Sequence, residues 1–154
     1  MVRLRKVLFP TDFSEPAEAG WTHALVFAKE FGAEIVLLHV VAEPPRLAEA
    51  YEMGFTPDRF VQAVSEEARR LMADMIAKAA DWKVPITPQV RRGVEFREII
   101  EAARDHEADL IVMGTHGRTG LAHALLGSVA EKVVRKAPCP VLTVKHPKLV
   151  LEMP

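Results

Sequence analysis

The chain has 154 residues, a length that fits one compact domain with its own core and leaves little room for a second. With 20 Lys plus Arg against 21 Asp plus Glu, the formal charge is −1, so no excess of positive charge fits the whole molecule to a nucleic-acid backbone or an anionic membrane. Hydrophobic residues at 49% and charged residues at 27% exclude a disordered or fibrous chain.

The single cysteine, Cys139, excludes an internal disulfide and any CxxC pair, and it points to a reducing compartment. The opening MVRLRKVLFPTD holds an apolar run too short for the core of a secretory signal. The longest apolar run, around Ile35 to Val41, falls far short of the roughly 18 residues that cross a bilayer. A cytoplasmic protein is therefore expected.

Lys6 to Phe9 (KVLF), halted by Pro10, reads as a first buried strand. Ser14 can cap a first helix with Glu15, Pro16 and Glu18 in its first turn. Its apolar stripe runs through Ala17, Trp21, Ala24, Leu25, Ala28 and Phe31 until Gly32 ends it. Glu34 to Val41 (EIVLLHVV) is a continuous apolar run suited to a central parallel strand covered on both faces. Residues 42–58, with Pro44, Pro45, Gly54 and Pro57, form a long connection, a candidate lid.

Phe60 to Ala79 carries the stripe of a second helix. Ile86 to Arg91, interrupted by Pro88, is expected at a sheet edge. Glu95 to Glu107 reads as a third helix, Asp109 to Met113 as a fourth strand, Ser128 to Lys136 as a fourth helix and Val141 to Val144 as a fifth strand. The alternation predicts one α/β domain over residues 1–146: an open, mainly parallel sheet with helices on both faces, followed by a short tail at 147–154. In such sheets ligands sit beyond the C-terminal strand ends. The segments to search are therefore Pro10 to Ser14, Val40 to Glu43 and Gly114 to Ser128.

The third of these, GTHGRTGLAHALLGS, holds Gly114, Gly117, Gly120 and Gly127, half of the chain's 8 glycines. Glycine allows positive φ and close approach of a ligand to backbone N–H groups, and Gly127 and Ser128 open a helix whose N-terminus favours an anion such as phosphate. The spacing matches neither GxxxxGK[ST] nor GxGxxG. It is Gly-x2-Gly-x9-Gly-Ser, on Gly114, Gly117, Gly127 and Ser128. The start of the fourth helix has no acid before Glu131, whereas Glu15 and Glu18 make the first helix hostile to an anion.

With this motif, the chain resembles the ATP-binding branch of the universal stress protein family. The resemblance is carried in order by KVLFPTDFS, LLHVV, DLIVMGTHGRTG, LLGSVAEKVV and CPVLTVK. It implies a five-stranded α/β fold with strand order 3-2-1-4-5, dimerisation through the last strand (Val141 to Val144), and ATP bound with Mg2+ or Mn2+. It also implies a nucleotide site in which Pro10, Thr11 and Asp12 border the nucleoside, with Asp12 near the ribose or metal. Val40 would meet the adenine, Met113 and Gly114 would line the nucleoside and phosphate, and Gly117 would let the loop close. Gly127, Ser128 and Val129 would contact phosphate, and Arg118 could add a cation.

The six histidines lack zinc-ligand spacing. His39 reads as a buried histidine satisfied by a neighbour, His116 as a solvated loop residue, and Cys139 as a small packing residue without chemistry. No nucleophile or base is placed for efficient phosphoryl transfer, so the expected function is a nucleotide-binding stress or regulatory protein with slow hydrolysis at most. The alternatives are a true ATPase or adenylyl-transferring enzyme, against which the absence of SGGxD and HxGH counts, and a dimeric interaction module that uses no nucleotide.

Overall fold

The computed structural model describes residues 3–42, 51–52, 54, 56–116 and 126–146. Five parallel strands form one sheet: β1 (Lys6–Pro10), β2 (Glu34–Ala42), β3 (Ile86–Gly93), β4 (Leu110–Gly114) and β5 (Val141–Val144), in the order β3-β2-β1-β4-β5. The helices are α1 (Glu15–Phe31), α2 (Pro57–Lys78), α3 (Glu95–Asp105) and α4 (Ser128–Lys136), with a short 3₁₀ turn at Ala80–Trp82. Class, strand order and helix placement match the expectation.

Local chemistry sets the element ends. Ser14 caps α1 by accepting the Ala17 N–H at 3.3 Å, and Gly32, at φ 65°, closes it in the left-handed conformation that glycine adopts without a steric cost. Pro10 belongs to β1 and pairs with Leu38 rather than standing outside the strand. Thr56 caps α2, with Pro57 in the first turn where its missing donor costs nothing.

The sheet's alternation divides the core. Val7, Phe9, Ile35, Leu37 and Val112 point to the side of α1 and α2, while Leu8, Val36, Leu38, Val40, Ile111 and Met113 point to the side of α3 and α4. The face changes because right-handed crossovers build outward through β2 and β3 and then return across β1 to β4. That reversal puts a topological switch point between β1 and β4. Their ladder is two pairs long, Val7 with Leu110 and Leu8 with Ile111, whereas β1 and β2 stay paired through Pro10 and Leu38. The crevice where such folds take ligands lies beyond that short ladder.

β3 is an edge strand, as its prolines predict. Ile35 N–H donates to Pro85 O, so the inward-bonding residues alternate from Pro85 and Pro88 turns its nitrogen to the open edge.

Candidate functional site

The turn after β1 is held by its own side chains. Thr11 donates its N–H to Leu38 O at 2.8 Å, continuing the pairing with β2, and its Oγ1 accepts the Phe13 N–H at 3.0 Å. Asp12 Oδ1 accepts both the N–H of Ser14, at 3.0 Å, and its hydroxyl. Ser14 is the cap of α1, and Asp12 fixes the capping residue. Phe13 sits at φ 64°, a left-handed conformation that costs a non-glycine residue of the order of 1–2 kcal/mol. Its ring lies 4.6 Å from that of His39. His39 is buried, as expected, and its Nδ1 is 2.8 Å from Thr11 O. A carbonyl oxygen only accepts, so Nδ1 carries the proton.

The end of β4 is tied to α4. Thr115 donates its N–H to Val144 O at 3.1 Å, and its own carbonyl accepts the Gly127 N–H at 2.6 Å. Gly127 therefore places the start of α4 directly beyond β4. The first intrahelical bond runs from Glu131 N–H to Gly127 O at 2.9 Å, no side chain among the described residues caps this terminus, and Glu131 is the only acid in the first turn. Here the helix presents backbone donors and the positive end of its dipole. Ser128 is exposed there, while Val129 packs with Val40 and Met113 against the same apolar layer. Sequence reasoning did not single out Thr115, the hub joining β4, β5 and α4. It stands next to a recognised glycine and carries no spacing signal of its own.

The structure gives two glycines a packing reason. A Cβ on Gly114 would lie 2.6 Å from Pro16 O, because α1 starts against the end of β4, and one on Gly127 would lie 3.0 Å from Thr115 O. The reading of His116 as a solvated loop residue is corrected: it is buried at 8% exposure, with Nδ1 2.9 Å from Thr115 Oγ1. Gly117, Arg118 and the tail at 147–154 lie outside the described residues, as do 43–50, 53 and 55 of the candidate lid at 42–58, whose ends Ala42 and Pro57 belong to β2 and α2.

Among the described residues no group of three or more His, Cys, Asp or Glu side chains is arranged to hold a metal. No described helix is long and apolar enough to cross a membrane. A second concavity of about 570 Å³, between α2 and β3, is lined by Arg69, Ala73, Ile76, Ala77, Pro88 and Val90, a lining too apolar for a phosphate.

The fold and site together define an open, doubly wound α/β protein with an anion-receptive helix terminus at its switch point. The universal stress protein family model matches residues 3–145, and the chain belongs to that family. It is 40% identical over 144 residues to universal stress protein MJ0531 of Methanocaldococcus jannaschii, covering 94% of this chain and 84% of that one. The solved structure of MJ0577, a universal stress protein of the same organism, superposes with a TM-score of 0.83 at 35% identity, over 96% of this chain and 99% of that one. A universal stress protein solved in complex with cAMP gives a TM-score of 0.64 at 25% identity, over 94% of this chain and 98% of that one.

Proposed function

We propose that this chain binds ATP in the crevice beyond β1 and β4 and acts as a nucleotide-responsive regulatory protein, hydrolysing ATP slowly at most. The observation that carries the reading is the start of α4, without a side-chain cap among the described residues, docked on β4 through the Gly127 N–H and Thr115 O bond and free of acids before Glu131. The phosphates would lie against Gly127, Ser128 and Val129, and Gly117 and Arg118 would close over them. The nucleoside would lie along Pro10, Thr11 and Asp12, with its base near Val40 and its sugar beside Met113 and Gly114. The nucleotide complex of a 25%-identical relative supports a nucleotide as the ligand class.

A divalent ion fits this site only in company with the phosphates. Asp12 is the one carboxylate of the proposed set, and its Oδ1 already accepts two bonds from Ser14. Mg2+ or Mn2+ would neutralise phosphate charge, and Asp12 would supply at most one ligand.

The test is isothermal titration of nucleotide-free protein with Mg-ATP, comparing wild type with Ser128→Glu. A carboxylate in the first turn suits the helix dipole, so the variant should fold as well as wild type or slightly better. It should bind ATP at least about tenfold more weakly, because the same charge repels phosphate. Undiminished binding by the folded variant would remove α4 from the site. No binding by nucleotide-free wild type would leave a dimeric interaction module.

A further inference from the structure

The surface formed by α3 and α4 carries a cluster that the nucleotide site does not use. Phe96, in the first turn of α3, is half-buried and packs against the core layer beneath the two helices. Three cations gather on this one ring: Lys132 Nζ lies 4.9 Å from its centroid, Lys136 Nζ 5.5 Å and Arg97 Cζ 5.7 Å. A ring attracts a cation through its electron-rich face, but that attraction does not neutralise three charges. Lys132 and Lys136 are a like-charged pair four residues apart on one helix, a spacing that repels. Arg97 stands in the first turn of α3, at the positive end of the dipole where a cation is disfavoured.

Three other helical arginines carry local carboxylates, Arg70 with Glu67, Arg104 with Glu101 and Arg135 with Glu131, whereas Arg59 and Arg69 of α2 make no ion pair among the described residues. Among the described residues none of the three cations at Phe96 has a carboxylate within 4.0 Å. Beside them Val94, just ahead of α3, leaves 50% of its surface exposed. Among the described residues, positive charge is thus concentrated with no carboxylate in ion-pair contact around an aromatic and an exposed aliphatic side chain.

We propose that Phe96, Arg97, Lys132 and Lys136 form a docking site for an acidic segment of a partner protein, with carboxylates meeting the three cations and an apolar side chain meeting Val94 and the ring edge. The patch is compact and spans two helices, and the formal net charge of the chain is −1. A nucleic-acid backbone would be met by an extended basic track instead. A membrane surface would call for protruding aromatic or long apolar residues, whereas the exposed apolar side chains on α3, α4 and their approach are the short Val94 and Val134, and the exposed Phe31 belongs to α1, on the opposite face of the sheet.

The test uses the full chain and a fluorescently labelled glutamate-rich peptide containing one leucine, followed by fluorescence anisotropy at low salt. Wild type should bind saturably and lose affinity as salt is raised. Lys132→Glu with Lys136→Glu should weaken binding at least about tenfold, since both rim charges then repel the peptide. Lys78→Glu with Lys83→Glu, an equal change of net charge elsewhere, should leave affinity within about twofold. Circular dichroism checks folding, and Lys132→Gln with Lys136→Gln is the milder second variant. The proposal fails if wild type shows no saturable binding at low salt, or if the control reversal weakens binding as much as the patch reversal. It fails equally if anionic lipid vesicles or single-stranded RNA bind more tightly than the peptide and lose that binding with the same double reversal.

Discussion

Gly114 opens the glycine motif, and its nearest neighbours belong to the protein itself. A Cβ there would stand 2.6 Å from Pro16 O and 3.2 Å from Ala17 Cα, both backbone atoms of α1 that cannot swing aside. Gly114→Ala should cost about 1–3 kcal/mol, the usual toll of overpacking, and lower the urea midpoint even without nucleotide. An unchanged midpoint would show that α1 shifts freely at its start. His106 supplies a pH prediction. Burial lowers its pKa below the usual histidine value, and the positive charges of Lys6 and Arg91 lower it further. Its Nε2 lies 2.9 Å from Gln89 Oε1, so the neutral ring donates there. The unfolded chain therefore takes up a proton at a higher pH than the folded one, and this group's contribution to stability is lost as pH falls below about 6.5 toward the lowered folded value. The drop in urea midpoint between neutral and mildly acidic pH should be smaller in His106→Gln than in wild type. Equal slopes would mean that the ring protonates as easily folded as unfolded.

At the scale of elements, α2 is the helix most dependent on its ends. Only Ala68 and Met72 of its described side chains are fully buried, and Thr56 Oγ1 accepts the Arg59 N–H at 3.3 Å at its start. Thr56→Ala should cost about 1 kcal/mol in denaturant unfolding and Thr56→Ser should restore most of it, because the hydroxyl is the working group. Equal midpoints for all three proteins would assign the helix start to Pro57 alone. The element pattern was legible because hydrophobic period separates these strands from these helices: EIVLLHVV became β2, and Ser14 and Gly32 bound α1 as read. The start of α2 was missed by a few residues because Pro57 looked like a loop residue although proline is at home in a helix's first turn. The site was legible in part. Glycine spacing pointed to the junction of β4 and α4, but the hub role of Thr115, bonded to Gly127 and Val144, and the packing of Phe13 on His39 join segments far apart in sequence. No local pattern encodes those contacts.

For the whole molecule, the decisive asymmetry lies between the two edges of the sheet. At β3 the proline at position 88 faces outward and offers no donor, so that edge is blunted against pairing. At β5 the bonds from Ile111 N–H to Pro140 O and from Thr115 N–H to Val144 O show that alternate residues from Pro140 onward bond inward to β4. Val141 and Thr143 then turn their backbone groups to the open edge, on a strand, VLTV, with no proline or charge. We propose that a second copy pairs there, giving a homodimer through Val141 to Val144. Light scattering should give a mass near twice that of one chain at micromolar concentration. Thr143→Pro removes an outward donor while sparing the inward-bonding residues, so it should shift the mass to that of one chain with little change in circular dichroism. A wild-type mass of one chain would rule the dimer out. A dimeric Thr143→Pro protein would move the interface to another surface, and the α3/α4 face bearing Phe96 would then be the next to examine.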